Sequence, residues 1–368
     1  MRLQIADWHD YLKVLHETVH IWSAGLSARD YQLFLQQQQS SPWFKQNCRL
    51  YTLKDSRDRI QASCKLYSLN LSSRGRNYRV AGLGAVYTQS SFRNQGLASE
   101  LINDVLDFCE DSSFDGVVLF SEIATEFYED FGFESLGSGT DFEIEARRQP
   151  AQLLEHASTA LARQVLSTKQ VPLLYRLYNR WLRCQPYGVA RDIPYWLYKV
   201  QKEEFLSHHA ANGRPGLGLG ILGLENAENC ENNTSAGNGY FIGEETAGCL
   251  RILEIIGDRP ARQRIWLHLL SQLLTGKIQK LSGWEGLIRD MAPSFQIRGL
   301  DLNLGGMTRS KASTQTSLAS SSSLMPEECL KVFFRQRTWG QCMIHVLNPQ
   351  LKDWLQIDPC PLLEFDHL

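Results

Sequence analysis

The stretch Val80–Phe108, VAGLGAVYTQSSFRNQGLASELINDVLDF, constrains this chain more than any other. Its first part is an apolar run ending at Thr88. After a short turn, Arg93-Asn94-Gln95-Gly96-Leu97-Ala98 opens a segment whose Leu101, Val105 and Phe108 fall on one helical face. A strand feeding an amphipathic helix in this way needs an α/β layer to bury both apolar surfaces. At the helix opening several backbone N–H groups have no intrahelical partner, and the helix dipole is positive. A pyrophosphate can sit there if the backbone can approach it closely. Gly96 and the small Ala98 permit that approach, and Arg93 adds charge.

A second segment follows. Gly116–Phe120 (GVVLF) is short and wholly apolar, as a buried strand requires. Ser121-Glu122 comes next, and then FYEDFGFE, Phe127–Glu134. With these two segments in this order, the chain resembles the GNAT (Gcn5-related N-acetyltransferase) family. The resemblance implies acetyl-CoA as co-substrate and a role for each matching position. Val86, Tyr87 and Thr88 stand where the strand backbone pairs with the pantetheine arm. Arg93, Asn94, Gln95, Gly96, Leu97, Ala98 and Ser99 stand where the phosphates are held. Ser121 and Glu122 end the fifth strand, where the sheet splays and backbone donors can polarise the thioester carbonyl. Tyr128 is the implied general acid, a phenol still protonated near neutral pH. The competing reading makes Tyr128 a core aromatic, as Phe127, Phe131 and Phe133 are. Glu122 is the first candidate for general base; otherwise it caps the following helix.

The rest of the chain supports two such units. Trp8–Leu35 reads as helical, and Cys48–Leu53, Ile60–Leu69 and Tyr78–Tyr87 read as an antiparallel meander. The expected fold is α/β (α+β): two GNAT-like domains, each a mixed, largely antiparallel sheet flanked by helices. Residues 1–145 form the expected catalytic domain and 146–172, rich in Ala, Leu and Gln, a helical connector. Residues 173–348 form a degenerate GNAT-like domain with mobile loops at His208–Gly239 and Arg309–Ser323, and 349–368 a solvated tail. In the second unit, Tyr240–Ile256 reads as paired strands, Ala261–Leu274 as a helix and Lys331–Leu347 as the last strand run. The corresponding turn there reads Gly257-Asp258-Arg259-Pro260, where an acidic side chain would repel a phosphate. Only the first unit is therefore expected to bind CoA, leaving the second to shape the acceptor cleft or to form a homo-oligomer interface.

Tandem proteins of the enhanced-intracellular-survival type are a looser resemblance, as is the fungal lysine-acetyltransferase type across residues 60–135. The former place Ser-Glu before a catalytic tyrosine, as Ser121-Glu122 precedes Tyr128. Their sterol-carrier-like third domain is not expected here, and Glu364 and Asp366 are read as tail residues.

Composition narrows the partners. A formal net charge of −2, without a long basic run, gives a nucleic-acid partner no electrostatic support. No stretch of about 18 apolar residues suggests a membrane span. The nine cysteines form no CxxC pair, and with no export signal at Met1–Asp10 they read as reduced thiols in a cytoplasmic protein. His208-His209 lacks a third ligand, so no metal is expected. The sequence thus points to an N-acetyltransferase acting on a small-molecule or lysine-type primary amine by direct attack in a ternary complex. The alternative is an acyl-CoA-binding sensor or scaffold without turnover.

Overall fold

In the computed structural model the described residues are 3–73, 75–136, 139–146, 161–209, 216–222, 238–284, 286–289, 330–336 and 340–351. After strand β1 (Leu3–Ile5), Asp7 accepts from the Asp10 N–H at 2.8 Å and starts α1 (Trp8–Trp22) with a reciprocal capping box. The helical run of the sequence is broken at Ala24 and Gly25, both at positive φ. Ser27 then caps α2 (Ala28–Ser40), and Pro42 opens α3 (Pro42–Asn47). The expected meander follows as β2 (Cys48–Lys54), β3 (Ile60–Ser73) and β4 (Arg76–Thr88). Next come α4 (Leu97–Asp111), β5 (Gly116–Ser121), α5 (Glu126–Glu129), β6 (Glu134–Ser135) and β7 (Thr140–Ala146).

The second half runs β8 (Leu161–Val165), α6 (Val171–Leu182), β9 (Gly188–Val189), α7 (Ile193–His209) and β10 (Gly218–Leu222). It continues with β11 (Gly239–Thr246), β12 (Cys249–Gly257), α8 (Arg259–Leu274) and β13 (Lys280–Trp284). Last are α9 (Gly286–Arg289), β14 (Leu330–Gln336) and β15 (Gln341–Val346).

Two mixed sheets result. The first is ordered β1-β2-β3-β4-β5-β15-β6, with β9 also on β3; the second is β14-β7-β13-β12-β11-β10-β8. Each has one parallel pair among the main strands, β4–β5 and β12–β13, and each such pair is joined by a helix, α4 or α8. The α/β expectation holds for both halves.

The sheets also exchange a strand. β7, which follows β6 in the chain, pairs with β13 and β14 of the second sheet, while β15 pairs with β5 and β6 of the first. Residues 140–145 therefore lie in the second sheet and 341–346 in the first, so the sheets do not divide at residue 145. The run Lys331–Leu347 is likewise two strands in two sheets, parted near Gly340 at φ +65°.

Two other expectations are corrected. The connector 146–172 is not helical at Leu161–Val165, an edge strand in register with β10, and α6 begins only at Val171; residues 147–160 lie outside the described set. Pairing with β10 overrides the helical leaning of that composition. Within His208–Gly239, Gly218–Leu222 is an inner strand with Leu219, Ile221 and Leu222 buried. Its glycines suggested a loop, but Gly220 is required by packing: a Cβ there would stand 2.1 Å from the Phe241 ring. Arg309–Ser323 and residues 352–368 lie outside the described residues.

Helix α7 joins the two halves. Tyr195 and Tyr198 pack with Trp43 and Tyr67 against the first sheet, whereas Trp196 and Val200 pack with Tyr178 and Tyr240 against the second. A helix buried on two sides needs apolar residues all round, and YWLYKV supplies them. The opposite face of the first sheet is covered by α4, whose Leu101, Ile102, Val105 and Cys109 are fully buried. Each such aliphatic side chain contributes about 1.5–3 kcal/mol.

Candidate active site

The parallel pairing of β4 with β5 runs from Val80↔Gly116 to Leu83↔Leu119 and stops there. β4 continues to Thr88 held only by β3, and β5 continues to Ser121 held by β15. The two strands diverge, and a V-shaped gap opens at their carboxyl ends. At the mouth of the gap β4 carries one residue more than β3: Lys65 faces Gly84 while Ser63 faces Tyr87. Ala85 takes up the extra length at φ +50°, a conformation uncommon for alanine. Such a bulge leaves backbone groups unpaired in the ladder beside the gap.

A cleft of about 740 Å³ occupies this opening. Val86, Thr88 and Ala98 line it, as do Glu122 and Tyr128. Five of the site residues expected from sequence thus meet in one cavity. The turn before Ala98 is exposed, and Gly96 sits at its end at φ +77° as the N-cap of α4, with no side-chain hydrogen bond capping the helix. The first-turn N–H groups of α4 are therefore offered outward rather than to a side chain. Asn94 also has positive φ, at +59°. The Arg93 Nε–H donates to the Thr88 carbonyl at 3.2 Å, fastening the turn to the end of β4. The Gln95 amide reaches the Ser91 carbonyl at 3.4 Å. Leu97 is buried in the core beneath the helix, and neither it nor Ser99 lines the cleft.

Tyr128, on α5, is 7% exposed and packs edge-on to Phe127 and Phe133. Its ring belongs to the core and also borders the cleft. Among the described residues its hydroxyl makes no hydrogen bond. Burial, helped by the nearby Cys64 and Glu122, pushes its pKa up to about 12. Glu122 is exposed at the rim. Glu126 and Glu129 are also exposed but do not line the cleft. The Ser121 hydroxyl donates to the Ile123 carbonyl at 2.7 Å and closes its own turn. Tyr87 faces away from the cleft toward α1, donating to Glu17 Oε2 at 3.2 Å, while the Gln89 amide reaches Glu17 Oε1 at 2.6 Å.

Sequence reasoning missed Glu17, which braces the end of β4, and the lysines of the far wall, Lys65 on β3 and Lys199 and Lys202 on α7. Nothing local marks them: Glu17 meets the end of β4 only when α1 packs onto the sheet, and Lys199 and Lys202 reach the cleft only through the packing of α7.

In the second sheet the helix that joins the parallel pair, α8, has a closed start. Asp258 caps α8, its carboxylate accepting from the Ala261 N–H at 2.9 Å, and Pro260 lies in the first turn. Among the described residues no group of three His, Cys, Asp or Glu side chains could hold a metal. His208 and His209 end α7 rather than lying in a loop. No described helix is long and apolar enough to cross a membrane.

Residues 6–136 match the family model of the Acetyltransferase (GNAT) domain. This part of the chain belongs to the GNAT acetyltransferases. The GNAT domain ends just before the strand exchange, and it carries the gap, the open helix start and Tyr128. It is an acyltransferase domain. No curated protein matches the sequence. Solved structures resemble nearly the whole chain. A GCN5-related N-acetyltransferase from Anabaena variabilis aligns at 15% identity and TM-score 0.59, covering 94% of this chain and 73% of the other. Eis1 from Mycobacterium abscessus aligns at 12% and 0.58, covering 95% and 74%. A conserved protein from Enterococcus faecalis, described as a probable N-acyltransferase, aligns at 13% and 0.58, covering 95% and 73%. At these identities the likeness concerns the fold, and it extends the GNAT architecture of the first half to the second.

Proposed function

We propose that the chain is an N-acetyltransferase that moves acetyl from acetyl-CoA to a primary amine by direct attack in a ternary complex. The observation that carries this reading is the open gap between β4 and β5, with the uncapped start of α4 and the free Tyr128 hydroxyl beside it. The first-turn amides of α4, with Gly96 and Ala98 leaving room, would hold the pyrophosphate, and Arg93 would add positive charge at the turn. The backbone of Val86–Thr88 would pair with the pantetheine amides. Donors freed by the bulge at Ala85 would polarise the thioester carbonyl, where negative charge develops during attack.

The acceptor must attack as a neutral amine. Glu122, at the rim, takes its proton directly or through water. As the new C–N bond forms and the C–S bond breaks, Tyr128 gives its hydroxyl proton to the departing thiolate, and the second proton that the nitrogen loses on becoming an amide returns through water to the Tyr128 oxygen. Its raised pKa keeps that proton in place at every physiological pH. The second domain contributes the far wall of the cleft through α7, Leu217, Glu244 and Leu253. A cytoplasmic setting suits a reaction drawing on acetyl-CoA and the six described cysteines, none of them in a disulfide.

The test is to supply acetyl-CoA and a panel of primary amines and follow thiol release with mass analysis of the product. Amine-dependent release with an acetylated product is expected. Tight acetyl-CoA binding without turnover on any amine would instead make the chain an acyl-CoA sensor or scaffold.

A further inference from the structure

The far wall of the cleft carries a cation that the transfer reaction itself does not require. Lys65 lies on β3 opposite Gly84, at the residue where the bulge begins, and it lines the same cleft as Tyr128. Along β3 it shares a face with Tyr67 and Leu69, which pack under α3 and α7, so it points away from α4 into the chamber beyond the gap. Lys65 is half-buried, and no described residue forms a salt bridge or hydrogen bond with it. Lys54 and Lys280, by contrast, have carboxylate partners.

After burial, the influences on the Lys65 ammonium oppose one another: Cys48 favours its charged form and Lys202 disfavours it. Lys202 of α7 adds like charge, and no carboxylate contributes, although Glu203 and Glu244 also line the cleft. Burial together with Lys202 holds the Lys65 ammonium below the usual lysine range. Lys199, only 4% exposed, also lines this wall. A half-buried cation beside like charge is costly unless a ligand brings the opposite charge. The near rim of the cleft, at Glu122, has the polarity to receive an amine. The chamber therefore has a carboxylate at its rim near Tyr128 and the Lys65 ammonium beyond the gap.

We propose that Lys65 selects the acceptor: it pairs with a carboxylate carried by the amine substrate, so the chamber takes amino-acid-like amines in preference to amines without an anion. This rests on the transferase reading above. An ammonium–carboxylate contact in a half-buried site is a charge-assisted hydrogen bond, strong enough to discriminate by about 10-fold or more. A polyamine, by contrast, would set a second cation against Lys65 and Lys202.

The experiment is calorimetric titration of matched pairs into CoA-saturated protein, each pair an amino acid and the amine lacking its carboxylate, such as ornithine and putrescine. At least one amino acid is expected to bind about 10-fold or more tightly than its partner. Lys65→Met should abolish that preference and Lys65→Arg should restore most of it, with acetyl-CoA affinity unchanged as the control for folding. Equal binding of every pair to the wild type, or an undiminished preference in Lys65→Met, overturns the proposal. Turnover measured separately on the same ligands keeps the two readings apart: preference without product would sink the transferase reading alone.

Discussion

The Asp258 carboxylate accepts the Ala261 N–H at 2.9 Å, closing the start of α8 at the position where Gly96 leaves the start of α4 open. Two helices in equivalent places thus differ in what satisfies their first turn. At α8 a negative side chain already occupies the anion site; at α4 the site is available.

One acetyl-CoA site per chain is therefore expected by calorimetry. Gly96→Glu should eliminate binding, since it puts a carboxylate where the pyrophosphate belongs. Gly96→Ala should weaken it and lower stability by roughly 1 kcal/mol, because φ is +77° although a Cβ would meet nothing within 4 Å. A stoichiometry of two, or full affinity in Gly96→Glu, would contradict this account.

Tyr128→Phe keeps the ring contacts with Phe127 and Phe133 and removes only the hydroxyl. Turnover should fall by roughly 10²–10⁴. Because that hydroxyl makes no hydrogen bond among the described residues, the melting temperature should hardly move. Normal turnover would take Tyr128 out of the mechanism.

The same tyrosine predicts an alkaline loss of stability. Its pKa is about 12 when folded against 10.0 as an unperturbed side chain, and Tyr31 shifts alike. Below pH 10 both states hold the proton, and the contribution is fully present. Between about 10 and 12 the unfolded chain releases its protons first, so stability falls as pH rises. Denaturant melts across pH 9–12 should show this slope, and Tyr31→Phe should reduce it; an unchanged slope would contradict the assignment.

Arg191 and Glu254 form a fully buried ion pair, with nitrogen and oxygen 2.8 Å apart; the Arg191 guanidinium lies over the Tyr178 and Trp196 rings, and the Tyr240 hydroxyl donates to Glu254. Arg191→Met should destabilise the protein by about 3–5 kcal/mol, since it strands Glu254 in the core. The double variant Arg191→Met/Glu254→Leu should recover part of that loss in denaturant unfolding. A neutral single variant would mean that water reaches the pair.

The exchange of β15 predicts that the first 336 residues do not make a working GNAT domain. Ending the chain there uncovers β5 from Gly116 to Ser121, the strand that forms one arm of the gap. Such a truncation should lose acetyl-CoA binding and aggregate through the exposed edge. Full binding by the truncated chain would show that β15 is dispensable.

The sequence by itself determined the local elements and half of the site. The strand before Thr88, the turn through Gly96 and the helix after it are encoded within one continuous segment, where periodicity and a single residue free to take positive φ suffice. Tyr128 was legible for the same reason, since α5 lies close to β5 in the chain. The closed start of α8 could also be read, because Asp258 acts on an amide three residues away. Tertiary structure alone decided the rest. Which strand completes β5 depends on contacts between residues far apart in the chain, such as Phe120 with Cys342 and Leu119 with Met343, and short-range pattern cannot rank such pairings. Gly220 signalled a loop until Phe241 was seen to need its space. Lys65 and Lys202 look like ordinary strand and helix lysines in the sequence; only the packing of α7 beside β3 brings like charges together at the edge of the cleft. Local chemistry is carried by covalent neighbours, whereas charge and shape in the acceptor chamber are created by surfaces that meet only on folding.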